Sequence, residues 1–145
     1  MNKHSRSKSG LFLMELIIVI LFFSISAAIC MRIFSTAKIK SDYSRDISNA
    51  SVVAQSCADS FKAYNGDPEK TAIAIEGAKL SDSVVIAYYD SDWKRTDSKN
   101  KAEYSLILKI SKDNDYKTTG KISVENNDGK NFIELTVVSA HQKLK

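Results

Sequence analysis

The sequence is poor in the residues on which small catalytic and disulfide-stabilised domains depend. Among its 145 residues there are two cysteines, two histidines and one proline. Cys30 and Cys57 lie too far apart for a Cys-x-x-Cys motif, and two cysteines alone give no disulfide framework. His4 and His141 lie close to opposite ends of the sequence, and no serine or cysteine can be placed beside either of them. We therefore expect no enzymatic activity and no cofactor.

An excess of positive charge is also missing from most of the chain. The formal net charge is +4, but Lys3, Arg6 and Lys8 supply three of the 21 basic residues. The remaining basic residues nearly balance the 17 acidic ones. Nucleic-acid-binding domains carry a basic surface, because neutralisation of phosphates dominates their affinity. We therefore expect no nucleic-acid binding by the main part of the chain.

The chain has a single long hydrophobic run, at residues 11–31, in which Glu15 is the one charged residue. As a helix this run would extend over roughly 31 Å, about the thickness of the hydrocarbon core of a bilayer. The basic residues that precede it predict a cytoplasmic N-terminus and an extracytoplasmic C-terminal part. A chain of 145 residues supports one ordinary domain, so we expect a single-pass membrane protein with one globular part.

Two general interpretations of this run leave Glu15 unexplained. A secretory signal would use the small residues Ser26, Ala27 and Ala28 for cleavage, but the apolar stretch is long for a signal. A plain membrane anchor fits the length. In both cases an acid at the centre of a bilayer costs about 2.5 to 3.5 kcal/mol, so an intramembrane carboxylate indicates a functional site.

Residues 9–15 read Ser-Gly-Leu-Phe-Leu-Met-Glu and are followed by an uncharged apolar run. This pattern resembles the processing site of type IV prepilins and pseudopilins. In that family a membrane aspartic peptidase, the prepilin peptidase, cuts after the glycine on the cytoplasmic side and methylates the new N-terminal residue. The resemblance implies cleavage between Gly10 and Leu11, N-methylation of Leu11, and Glu15 as the fifth residue of the mature chain. Leu11 departs from the phenylalanine that is usual at that position.

The resemblance also implies a location, partners and a role. Subunits of this family lie in the cytoplasmic membrane with the head outside, and then assemble through the N-terminal helix into an extracytoplasmic filament. The expected partners are the prepilin peptidase, other pilin or pseudopilin subunits, and the membrane. In a bundle of such helices, the amine of Leu11 could neutralise the Glu15 carboxylate of a neighbouring subunit, since the two positions are one helical turn apart.

Two questions stay open at this point. Type IV pili, type II secretion and DNA uptake in competence share this N-terminal machinery, and the sequence does not distinguish between them. The alternative to a filament subunit is a single-pass membrane-anchored extracellular domain that binds a ligand or acts as a sensor, in which the resemblance at Gly10 is accidental.

The apolar pattern continues beyond the hydrophobic run with gaps of three and four residues, which is the periodicity of a helix. We therefore predict one helix over residues 11–64, roughly 80 Å long, with an apolar half and an amphipathic half. Asn65, Gly66 and Pro68 are typical of a helix end. The stripe consists of Ile39, Tyr43, Ile47, Ala50, Ala54, Cys57, Phe61 and Tyr64.

The C-terminal half has the character of a β-sheet. Four runs have the residue types of β-strands, and Asp128 and Gly129 suit a tight turn between the last two. In the last three runs apolar residues alternate and so share one face of each strand: Leu106, Leu108 and Ile110, then Ile122 and Val124, then Ile133, Leu135 and Val137. We predict strands at residues 84–89, 104–111, 119–125 and 132–139. Residues 69–80 are ambiguous between a short helix and a connecting segment, and we interpret them as a connection.

Together these patterns predict an α+β fold, in which the amphipathic half of the long N-terminal helix packs under a four-stranded antiparallel sheet. We expect three functional parts. Residues 1–10 form a cytoplasmic leader that is removed, residues 11–34 form the transmembrane and assembly helix, and residues 35–145 form the extracytoplasmic pilin-like head.

Two further groups of residues could form binding sites, but structural roles are preferred for both. Acids in two loops, Asp90, Asp92 and Asp97 or Asp113 and Asp115, could bind calcium, but the glycine-turned spacing of a recognisable site is absent and solvated loop acids are the preferred interpretation. Trp93, flanked by Lys94 and Arg95 and near Tyr88 and Tyr89, could stack on single-stranded DNA. A place in the core or at a hairpin edge is the preferred interpretation for these aromatic residues.

Overall fold

The structure, a computed structural model, describes residues 5–114 and 116–140, with side chains from Ser9 onward. The chain forms two compact units that divide between Tyr43 and Ser44. The first helix, α1 (Ser5–Ala63), supplies the first unit and the beginning of the second. The predicted functional division at residues 10 and 34 concerns processing and membrane insertion, and it stays a prediction.

In the first unit, short polar side chains donate hydrogen bonds to backbone carbonyls of their own helix. The hydroxyl Oγ of Ser24 donates to the carbonyl oxygen of Ile20 at 2.8 Å, and that of Ser26 donates to Phe22 at 2.9 Å. Such bonds to the preceding turn satisfy a hydroxyl without water. Ser24 and Ser26 therefore do not prevent the hydrophobic run from lying in an apolar medium.

In the second unit the apolar stripe of α1 lies against the sheet, as its periodicity predicted. Ala50, Ala54 and Phe61 are fully buried, and Cys57 is 1% exposed. The helix ends at Ala63 in a turn in which the Gly66 amide donates to the carbonyl of Phe61 at 2.8 Å.

Three members of the predicted stripe are exposed. Ile39 and Tyr43 belong to the first unit and are 69% and 42% exposed, and Tyr64 lies in the turn after the helix and is 43% exposed. The stripe that packs on the sheet is therefore shorter than the periodicity predicted.

A short second helix, α2 (Pro68–Ala74), follows the turn. The side chain of Asp67 caps it by accepting from the amides of Glu69 and Lys70 at 3.0 and 3.1 Å. Proline at the first helical position is favourable because its missing N–H would have no partner there. Within the segment that was interpreted as a connection, the structure thus places a helix and, after it, a first short strand.

Within the described residues, the sheet has six antiparallel strands. Strands β1, β2, β4, β5 and β6 follow one another in space, and β3 pairs with β2. The four predicted strands are β2, β4, β5 and β6, and the α+β class is confirmed. The strand bounds are β1 (Lys79–Ser81), β2 (Val84–Tyr89), β3 (Arg95–Thr96), β4 (Tyr104–Asn114), β5 (Lys117–Asn126) and β6 (Asn131–Ala140).

The core lies between the inner face of the sheet and α1. Leu106 pairs with Val124 across the two central strands, Leu108 pairs with Ile122, and all four side chains are fully buried. Gly120 leaves room for the helix, because a Cβ built there would lie 3.2 Å from Cε2 of Phe61. The alternation along these strands therefore identified the buried face correctly.

Candidate functional site

The candidate site is the first part of α1, where Gly10 and Leu11 are adjacent and Glu15 lies one turn further along the helix. Gly10 is exposed, and a Cβ built there would have no atom within 4 Å. Leu11 is 65% exposed. The predicted scissile bond is therefore accessible from the sides of the helix. Glycine costs about 1 kcal/mol relative to alanine inside a helix, so Gly10 lowers the helix propensity of this turn.

The surface around the site is apolar and unburied. Every large apolar side chain of the hydrophobic run from Leu11 to Met31 is at least 46% exposed. An apolar surface of this extent in water would drive association. Among the described residues, one helix is long and apolar enough to cross a membrane, and none of its most apolar window is buried in the protein. The length and composition of this helix are consistent with the anchor of a single-pass membrane protein, and its orientation stays a prediction.

Glu15 lies on an otherwise apolar face of this helix. Leu11, Met14, Glu15, Ile18 and Val19 line one shallow groove along it. These residues recur at intervals of three and four, so they share one side of the helix. The structure therefore brings the predicted methylation site and the predicted assembly residue onto the same face, one turn apart.

The acidic loops of the second unit have local structural roles. Asp90 Oδ1 accepts from the amides of Asp92 and Lys94, both at 2.9 Å. Asp113 accepts from the Thr119 hydroxyl at 2.7 Å and lies 3.3 Å from Lys117 Nζ. The Thr119 and Lys117 hydrogen bonds lower the pKa of Asp113. Within residues 5–114 and 116–140 no three His, Cys, Asp or Glu side chains form a group that could hold a metal ion.

Four residues that the sequence analysis named lie outside the described residues, namely Lys3, His4, Asp115 and His141. Cys30 is exposed, and Cys57 is buried beneath the sheet. Burial raises the pKa of the Cys57 thiol to about 12, more than the nearby Arg95 lowers it. A thiol in this state is a poor nucleophile, so Cys57 serves as a small core residue.

Trp93 lies in the turn between β2 and β3. One face of its ring stacks on another aromatic residue, and its ring nitrogen donates a hydrogen bond. Its ring stacks on Tyr104 with 4.1 Å between centroids and 14° between planes. Its Nε1 donates to Asp46 Oδ1 at 3.2 Å. Base stacking needs a free aromatic face, and Trp93 is partly buried. These contacts agree with the interpretation of Trp93 as a core or hairpin-edge residue.

The sequence analysis missed the carboxylate that joins these aromatic residues. Asp46 accepts hydrogen bonds from Trp93 and also from Tyr104. Burial, followed by the charge and hydrogen bond of Asp46, raises the pKa of Tyr104 to about 12. No local pattern pairs residue 46 with residues 93 and 104, because the contact depends on how the sheet packs on α1.

Comparisons with known proteins do not assign a function to this chain. No model of a protein family matches this chain, and neither a curated protein nor a solved structure does. The features that bear on function are therefore the placement of Gly10, Leu11 and Glu15 on one apolar helix and the α+β architecture that follows it.

Proposed function

We propose that this chain is a pilin-like precursor, a structural subunit of a filament of the type IV pilus or type II secretion kind. The prepilin peptidase cuts it between Gly10 and Leu11 and methylates Leu11, and the mature subunit assembles through its N-terminal helix. It works without turnover or cofactor. The observation that carries the proposal is Glu15, the one charge on an exposed apolar helix face, five positions after Gly10.

Cleavage on the cytoplasmic side suits the distribution of charge. The leader holds Lys3, Arg6 and Lys8, which retain it in the cytoplasm. Its removal takes away that charge and leaves the apolar span in the membrane. The product is a membrane-stored subunit with its head outside, ready to be extracted into a filament.

Assembly gives Glu15 the partner that a single membrane-embedded helix cannot give it. A buried carboxylate is costly unless a positive group compensates it. In a bundle of parallel helices, the methylated amine of Leu11 on one subunit lies at the level of Glu15 on another when the two helices are offset along the axis by about one turn. The charge then selects the axial register between subunits.

The alternative, an anchored ligand-binding or sensory domain, shares the span and the head but needs no acid at Glu15. The two are separated by expressing the full chain together with a complete filament-assembly machinery and shearing the cells. Recovery of the mature chain in the sheared filaments supports the proposal. Retention of all of it in the membrane, while the other subunits are sheared off, favours the anchored domain.

A further inference from the structure

A basic stretch follows the hydrophobic run of α1 directly. Residues 32–40 contain Arg32, Lys38 and Lys40 and no acidic residue. The whole stretch is helical and belongs to the first unit. Its positive charge is therefore not balanced within the stretch itself.

The three basic residues differ in whether they have a partner. Lys38 Nζ lies 3.4 Å from Asp42 Oδ1, one turn further along α1, and forms an ion pair with it. Neither Arg32 nor Lys40 forms an ion pair with any residue that the structure describes. Two positive groups are therefore free to bind an anion from outside the chain.

Arg32 and Lys40 border one shallow groove, the basic groove, which is lined by Arg32, Ile33, Thr36, Ala37 and Lys40. These positions recur at intervals of three and four, so they share one side of the helix, with a polar row beside an apolar row. The Thr36 hydroxyl already donates to the carbonyl of Arg32 at 2.9 Å. Arg32 and Lys40 therefore supply the donors that the groove offers to a ligand.

The length of the hydrophobic run determines the depth of the basic groove. When residues 11–31 fill a hydrocarbon core of about 30 Å, Arg32 lies at its edge, among the lipid headgroups. The Cα atom of Lys40 is roughly 12 Å further along the axis. Side chains on a helix lean toward its N-terminus, which here is toward the membrane, and a lysine ammonium group reaches the headgroups in this way. Both positive groups can therefore contact one headgroup.

We propose that the basic groove binds the phosphate of an anionic phospholipid, such as phosphatidylglycerol, in the leaflet from which α1 emerges. Arg32 and Lys40 donate charge-assisted hydrogen bonds to the phosphate oxygens. Ile33 and Ala37 contact the apolar part of the same lipid. A zwitterionic lipid has the same phosphate but carries a positive group of its own, so it binds more weakly. The bound anionic lipid holds α1 at one depth.

A second copy of this chain does not supply the anion. Copies inserted in the same way share one depth, and the sequence has no acidic residue between Glu15 and Asp42. A parallel neighbour therefore presents no carboxylate at the level of Arg32. Its Asp42, two residues beyond Lys40, is already paired with Lys38.

The proposal requires that α1 crosses a membrane, but it does not require processing or filament assembly. The basic groove lies beyond one end of the hydrophobic run, whereas Gly10 lies before the other end. The uncleaved chain therefore contains the complete site.

The lipid selectivity of the full chain tests the site. The chain is reconstituted in phosphatidylcholine vesicles that contain a trace of spin-labelled phosphatidylglycerol or, in a parallel sample, spin-labelled phosphatidylcholine. Electron paramagnetic resonance measures the fraction of label that the protein immobilises. We expect the unaltered chain to hold phosphatidylglycerol severalfold more strongly than phosphatidylcholine.

Matched substitutions separate the basic groove from a general attraction to positive charge. Lys40→Gln should lower the preference for phosphatidylglycerol, and Arg32→Gln added to it should abolish the preference. Lys38→Gln removes the same charge two residues away, on another side of the helix, and should leave the preference unchanged. Excess inorganic phosphate, at constant ionic strength, should not displace the labelled lipid.

Four results would overturn the proposal. Equal retention of the two lipids by the unaltered chain would mean that there is no selective site. Equal effects of Lys40→Gln and Lys38→Gln would mean that anionic lipid is attracted only diffusely by the positive stretch. Displacement by inorganic phosphate would indicate a site for free anions. These three results leave cleavage after Gly10 unaffected, whereas failure of the chain to enter the vesicles would contradict both the site and the membrane anchor.

Discussion

The indole Nε1 of Trp93 donates to Asp46 Oδ1 at 3.2 Å, and this hydrogen bond connects the turn between β2 and β3 to helix α1. The same carboxylate accepts from the hydroxyl of Tyr104, on whose ring Trp93 stacks. Trp93 has a φ of +61°, a backbone conformation that is uncommon for a bulky side chain. The contacts with Asp46 and Tyr104 therefore hold the turn in a shape that it would not adopt alone.

Removing the Asp46 carboxylate should loosen this turn. We expect Asp46→Ala to lower the free energy of unfolding by about 1 to 3 kcal/mol, because two partly buried donors lose their acceptor. Asp46→Asn retains a carbonyl acceptor and should cost less. The measurement is thermal unfolding in detergent, with the near-ultraviolet circular dichroism of Trp93 reporting on the turn.

Asp42→Ala is the matched control on the same helix. Asp42 forms an exposed ion pair with Lys38 at 3.4 Å, and such pairs contribute about 0 to 1 kcal/mol. Equal losses for Asp42→Ala and Asp46→Ala would mean that the Trp93 contact adds no stability.

Tyr104 should make the second unit sensitive to alkali. Its pKa is raised in the folded chain from 10.0 to about 12, so folding favours the neutral phenol. The resulting stabilisation is complete below the pKa of an unfolded tyrosine and is lost as the pH rises from about 10 toward about 12. Cys57 contributes with the same sign from a lower starting pH, because its pKa is raised from 9.0 to about 12.

We expect Tyr104→Phe to reduce the loss of stability above pH 10 without abolishing it, since Cys57 remains. The variant keeps the ring that stacks on Trp93. Chemical unfolding at a series of pH values provides the measurement, with Tyr88→Phe as control. Equal losses of stability above pH 10 for Tyr104→Phe and the unaltered chain would contradict this role of Tyr104.

Phe61 should dominate the packing between α1 and the sheet. It is fully buried and lies against Gly120, which has no side chain to displace it. Phe61→Ala should lower the free energy of unfolding by about 3 to 5 kcal/mol through lost burial and the cavity left behind. Val52→Ala on the same helix should change it by less than about 0.5 kcal/mol, because Val52 is 63% exposed. Similar losses for the two variants, measured by chemical unfolding, would contradict the packing described above.

The sequence identified the parts of the fold that follow from local periodicity. Spacings of three and four residues predicted the buried stripe of Ala50, Ala54, Cys57 and Phe61, and alternation predicted the inner faces of β4, β5 and β6. Both patterns arise because each element buries one side. The end of α1 was predicted within one residue from Asn65 and Gly66, which have positive φ angles in the structure.

The features that were missed depend on tertiary contacts or on very short elements. β1 and β3 have three and two residues, too few for alternation to be recognised. Helix α2 has seven residues and was interpreted as a connection, although Asp67 and Pro68 formed a proper start signal. The Asp46 contact joins residues 47 positions apart. At the N-terminal site, the roles of Gly10, Leu11 and Glu15 stay predictions, because they rest on a local motif that the packing of the fold does not test.

Glu15 should matter for assembly and not for insertion. We expect Glu15→Val to leave cleavage after Gly10 and membrane insertion intact, while incorporation into sheared filaments falls sharply, because the charge that pairs with the amine of Leu11 is gone. Glu15→Gln keeps the size and polarity of the side chain without its charge, and should fall similarly. Immunoblots of sheared fractions measure the effect. Assembly of the Gln variant at the level of the unaltered chain would exclude charge pairing as the role of Glu15.

The central claim, that this chain is a prepilin-type precursor, is tested most directly by the intact mass of the chain after co-expression with an active prepilin peptidase. We expect a product that begins at Leu11 and carries one added methyl group on its amine. A second culture without the peptidase should yield the chain with its leader. A product beginning at Ile29, or a chain that keeps its leader although the peptidase cleaves a known substrate in the same cells, would contradict the account.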